Sequence, residues 1–153
     1  MNGPLALPSD DRAVSVTLSY ALNMVIATML IGSLFVGTGQ LIQTQHEQTI
    51  DAELEVIGQH IAANIMGVDR MVEAGGDRVE VTTDNQGSVS GSSYSIEIME
   101  DEGDGEITLQ ASDPEVTTEV SFRTSTSVEN TTLIGGDLLI HSEDGEDIEV
   151  SRR

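Results

Sequence analysis

Three histidines, one acidic run and one Asn-x-Thr triplet are the side chains in this sequence best placed to do chemistry. His46 and His60 stand 14 residues apart in one helical pattern, about 21 Å, so they cannot share a metal. His141 is alone at the end of a strand-like run. None of the three has a Ser or Cys nucleophile signature beside it, Cys is absent, and there is no glycine-rich phosphate loop. The run Glu100-Asp101-Glu102-Gly103-Asp104-Gly105-Glu106 invites a calcium reading. It lacks the D-x-[DN]-x-[DN]-G spacing and the distal Glu of an EF-hand, so it reads as an acidic hairpin tip. His141-Ser142-Glu143-Asp144 is discounted on the same ground. No catalytic residue, metal site or cofactor is therefore expected, and the chain reads as a non-enzyme. Asn130-Thr131-Thr132 is an acceptor sequence for N-glycosylation in a polar stretch between strands; a glycan and an ordinary loop asparagine both remain open.

The elements that carry these residues begin with a charge-free segment. No Asp, Glu, Lys or Arg interrupts Ala13 to Gln45, and most of its first two-thirds is apolar. A bilayer core of roughly 30 Å needs about 20 such residues in a helix, so the segment can span a membrane, and it exceeds the apolar region of a secretory signal. Arg12 is the one cation near either flank, which places residues 1–13 in the cytoplasm as a leader and the C-terminal part outside. A transmembrane stretch of 14–42 then passes into an amphipathic continuation over 43–75. There Ile50, Leu54, Ile57, Ile61, Ile65, Val68 and Val72 recur at spacings of three and four, a stripe about 80° wide. Gly75-Gly76 is the natural stop, giving one helix from Ala13 to Ala74, about 93 Å long if unbroken.

From residue 76 to 153 the period changes to two. Strands are expected over 78–83, 94–99, 106–111, 115–124, 137–141 and 147–151, with hairpin turns at Asp104-Gly105 and Asp144-Gly145. Short connections favour an antiparallel meander whose apolar face covers the helix stripe. GSVSGSS over 87–93 reads as a flexible loop and Arg152-Arg153 as a frayed end. The fold class is α+β: a long N-terminal helix with a small antiparallel β-sheet head.

Charge narrows the setting. The net charge is −21; all but two of the 27 acids follow His46, and there is no Lys. Such a surface repels nucleic acid, and its self-repulsion is screened at molar salt, where the Debye length is about 3 Å. A halophilic setting follows.

At Asp11-Arg12-Ala13-Val14-Ser15, followed by the apolar helix, the chain resembles archaeal type IV pilin precursors. More narrowly it is similar to small haloarchaeal pilin-like proteins of minor-pilin or pseudopilin type. D-R-A-V-S-x-T-L-x-Y over 11–20 carries the resemblance, supported by ELEVIGQ over 53–59, GSSY over 91–94 and GGD over 135–137. The match is strongest over 11–75 and looser beyond. It implies cleavage by a membrane prepilin peptidase at the Arg12-Ala13-Val14 step, after Ala13, leaving Val14 as the mature N-terminus. It also implies an assembly ATPase, a platform protein and sibling pilin-like subunits as partners. Two positions depart from related patterns: Val16 stands where the commonest archaeal adhesion pilins carry Pro, and Leu18 where bacterial major pilins carry Glu.

In an assembled bundle, helix replaces lipid around the apolar segment, so packing fit selects the assembled state. Ser33 and Gly37 form a small-xxx-small pair with Gly32 and Gly39 nearby; close helix packing and local flexibility at the membrane exit are both open readings. The expected function is a membrane-inserted precursor assembled into a surface filament or pseudopilus for adhesion. The alternative is a permanent single-pass anchor holding an acidic binding domain outside the cell.

Overall fold

The structure, a computed structural model, describes residues 11–153, with the side chains of 11–15 and 37–40 outside that description. One helix, α1 (Asp11–Glu73), precedes nine strands: β1 (Arg78–Thr83), β2 (Ser88–Val89), β3 (Ser92–Asp101), β4 (Asp104–Ser112), β5 (Glu115–Arg123), β6 (Ser127–Val128), β7 (Thr131–Ile134), β8 (Leu138–Glu143) and β9 (Asp147–Arg152). The architecture is α+β, a long N-terminal helix followed by an antiparallel β domain. The chain divides into two compact units, Met1–Thr44 and Gln45–Arg153.

In the first unit every described side chain from Val16 to Val36 is exposed, as befits a segment with no polar face and nothing folded over it. Two of its hydroxyls turn back onto the helix. Thr28 Oγ1 donates to the Met24 carbonyl at 3.0 Å and Ser33 Oγ to the Met29 carbonyl at 2.9 Å. Such back-bonding leaves those polar groups satisfied without water.

In the second unit the three-and-four stripe does what its spacing demands. Ile50, Leu54, Ile61, Ile65 and Val68 are fully buried, with Ile57 and Val72 half-buried beside them. The helix ends one residue before the expected Ala74, in a Schellman-type stop. Gly75 takes φ +91°, its N–H donates to the Val72 carbonyl at 2.8 Å, and Gly76 N–H donates to Met71 at 3.1 Å.

The strands form two sheets. One has the order β1-β8-β9-β6, antiparallel except for the parallel β6–β9 pair. The other runs β2-β3-β4-β5, with β7 also pairing β3. The expected meander holds for β3-β4-β5 and for β8-β9. It does not extend to β1, which pairs β8 across the chain, or to β7, which returns to β3.

Three local expectations are corrected. The β3–β4 turn is at Glu102-Gly103, with φ +53° and +91°, and not at Asp104-Gly105. Gly105 is needed within β4, where the Phe122 ring of β5 lies directly on it and leaves no room for a Cβ. Residues 87–93 are no free loop: β2 folds back on β3 through Ser90-Gly91, both at positive φ. Arg152 is paired with Leu138, and Arg153 N–H donates to the Asp137 carbonyl at 3.1 Å, so this pair is held and not frayed. Asp144-Gly145 does turn β8 into β9, at φ +60° and +71°.

Candidate functional site

Within the second unit, α1 lies on β4 and β5 at close range. Gly58 makes this possible: a Cβ there would stand 2.7 Å from Val120 Cγ2 and 2.8 Å from Leu109 Cδ1. Two polar contacts flank that approach. Thr118 Oγ1 donates to Asp51 Oδ1 at 2.6 Å, and Asp69 accepts Thr126 N–H at 2.8 Å and Ser125 N–H at 3.1 Å. Asp69 is buried, and its carboxylate satisfies two main-chain donors where the chain leaves β5 for β6. Sequence reasoning did not single it out, although it stands four residues after Ile65 on the buried side of the stripe. Replacing Asp69 with Ala is expected to destabilise the second unit by about 1–3 kcal/mol by stranding those donors, read as a lowered denaturant midpoint with unchanged slope.

The acidic run contains a second clamp that sequence reasoning passed over. The Glu100 carboxylate accepts N–H groups from Gly103 and from Val128 (3.2 Å), together with the Ser127 hydroxyl (3.3 Å). It thereby ties the β3–β4 hairpin to β6. The Gly103 amide, then the Val128 amide, holds its pKa below the ordinary 4.5. A carboxylate depressed on folding contributes stability above its unfolded pKa and loses it as pH falls through the folded one. Glu100→Gln is therefore expected to be less stable than the parent near neutral pH. The gap should close as the pH drops below the carboxylate range, measured as paired melting curves across pH.

Asn130 sits against this clamp: its Oδ1 accepts the Glu100 N–H at 2.7 Å, while the residue is solvent-exposed. The contact orients the side chain through the oxygen, leaving the nitrogen that would carry a glycan on the other branch of the amide.

The histidines are dispersed. His60 lines an open groove of about 910 Å³ between α1 and the β1–β2 connection, with Gln48, Glu53, Val56, Asn85 and Val89. Glu53 there accepts the Ser90 hydroxyl at 3.3 Å. His141, on the outer face of β8, lies opposite Glu80 of β1 and Glu149 of β9, with Nε2 3.3 Å from the Glu149 carboxylate. Among the described residues no group of three or more His, Asp or Glu side chains converges as a metal site. Tyr94, fully buried, stacks its ring on Gly135 and donates its hydroxyl to the Gln86 carbonyl at 2.7 Å; burial raises its pKa.

The remaining candidates lie in the first unit. The Arg12-Ala13-Val14 step falls within α1, but its side chains lie outside the described residues, as do the surroundings of Gly37 and Gly39. Gly32 has nothing within 4 Å of where a Cβ would be, and Ser33 is engaged only with its own helix. The α1 stretch beginning at Val16 is long and apolar enough to cross a membrane, and none of its apolar window is buried within the chain.

Neither the curated proteins nor the solved structures hold a significant match to this sequence. A match does extend over residues 9–151, nearly the whole chain, to a family of unknown function, DUF7266, and the chain belongs to that family.

Proposed function

We propose that the chain is a type IV pilin-like structural subunit, inserted in the membrane as a precursor and assembled into a surface filament or pseudopilus for adhesion. The observation that carries this reading is the first unit's helix. It is free of charge and largely apolar, every described side chain from Val16 to Val36 is exposed, and α1 continues from it into a folded acidic unit. A surface of that kind is stable in only two surroundings, lipid or other apolar helices, and a subunit that passes from one to the other uses both. The Arg12-Ala13-Val14 step just before it is where a prepilin peptidase would act, with an assembly platform and sibling subunits as further partners. Asn130, exposed on the acidic unit, is where a glycan would be added after export.

The topology has a direct test. Protease added to intact cells should remove the acidic unit while the apolar helix stays with the membrane fraction. Protection of the acidic unit in intact cells, with digestion only after lysis, would overturn the outward orientation.

A further inference from the structure

The second sheet has one long open edge. Among the described residues β5 pairs only with β4, while its inward side chains Val116, Thr118 and Val120 are half-exposed despite facing the core. Its outer face carries Glu115, Thr117, Glu119, Ser121 and Arg123, all exposed. An unpaired edge is a template for another strand, and natural proteins usually blunt it with a central charge, Pro or a bulge. Here the pattern is self-complementary. If two β5 strands meet antiparallel about Ser121, Ser121 faces its own copy and each Glu119 faces the other copy's Arg123. No like charges are opposed, and opposite-charge pairs directly across strands are stabilising. On the inner face the same register sets Val120 against Phe122. A two-fold interface of this kind is isologous and closes at a dimer.

We propose that β5 is a docking edge for a second copy of this chain, joined antiparallel about Ser121. The direction of approach follows from the helix. Asp51 meets Thr118, Gly58 meets Val120, and Asp69 meets Ser125 and Thr126, so α1 advances in the same sense as β5. Antiparallel β5 strands therefore set the Asp51-to-Asp69 stretches of the two copies running in opposite directions. The contact is thus a symmetric one between two copies of the folded acidic unit. Arg123 already donates to Asp104 at 2.7 Å and Gln110 donates to Glu115 at 3.0 Å, whereas among the described residues Glu119 has no such partner on β4 and is the acid left for the other copy. With a net charge of −21 per chain, the contact needs screening and should strengthen from about 0.1 M to about 1 M salt.

The absence of Cys makes the test clean, because an introduced thiol reports only on itself. Two differently labelled preparations of the full-length protein with Ser121→Cys, held in detergent, are mixed and oxidised in molar salt. The expected result is salt-dependent dimerisation and a disulfide dimer containing both labels, with Glu80→Cys on β1 giving none. Arg123→Glu should abolish dimerisation, and the exchanged pair Glu119→Arg with Arg123→Glu should restore it, which separates recognition from misfolding. Equal cross-linking at Ser121→Cys and Glu80→Cys, or dimerisation indifferent to Arg123→Glu, would overturn the edge contact.

Discussion

Ile61→Ala is expected to cost the second unit about 2–5 kcal/mol, a large share of the 5–15 kcal/mol typical of a folded domain. Ile61 is fully buried at the centre of the α1 stripe, between Leu54 and Ile65, against the apolar faces of the sheets. Truncation removes apolar contact and leaves a cavity that this thin core has little means to fill. Only Tyr94 and Phe122 supply aromatic bulk to the unit, and each is already committed to a glycine, Gly135 and Gly105. Val56→Ala on the same helix is the control. Val56 is 66% exposed, so its truncation should change stability by no more than about 0.5 kcal/mol. Denaturant unfolding of both variants in molar salt compares them directly. Equal effects would mean that the helix is not seated on the sheets by this stripe.

If the proposed pilin-like role holds, Gly37→Leu should impair filament assembly while leaving membrane insertion intact. A Leu side chain is as compatible with lipid as the glycine it replaces, so partition of the apolar segment is unchanged or improved. Between helices the outcome differs, since Ser33 and Gly37 stand one turn apart on α1 and a bulky side chain there holds a neighbouring backbone off. The two quantities are separable: resistance of the protein to alkaline extraction from membranes reports insertion, and its yield in sheared surface filaments reports assembly. Normal filament yield would remove the packing role assigned to the small residues Gly32, Ser33, Gly37 and Gly39.

The parts of the fold written in periodicity were legible in the sequence. The helix stripe from Ile50 to Val72, the Gly75 stop and the six longer strands follow from which neighbours a side chain meets locally, and these were placed within a few residues. What escaped depends on contacts far apart in the chain. β2 and β6 have two residues each and β7 has four, too few to show an alternation, and each exists because β3 or β9 offers it an edge. The turn at Asp104-Gly105 was displaced because Phe122, 17 residues on, claims Gly105 for its ring. Asp69 and Glu100 looked like two more acids in a strongly acidic chain. Their roles come from amides at 125, 126, 103 and 128 that no local pattern brings near them. The acidic run that resembled a cation loop thus serves in part to satisfy main-chain donors.

The open β5 edge belongs to the same class of feature. Its alternation was readable, but its position at the margin of a sheet, and the sense in which α1 crosses it, are properties of the assembled unit. Together they support the proposed contact with a second copy, on the proviso that the chain is a subunit anchored and assembled through its apolar helix.

That proviso is tested most directly by the mass of the N-terminal peptide of the native protein, measured separately in membrane and surface fractions. The account predicts a chain beginning at Val14, or within one residue of it, in the surface fraction. An intact Met1 leader in both fractions, or a first residue beyond Gly39, would contradict it.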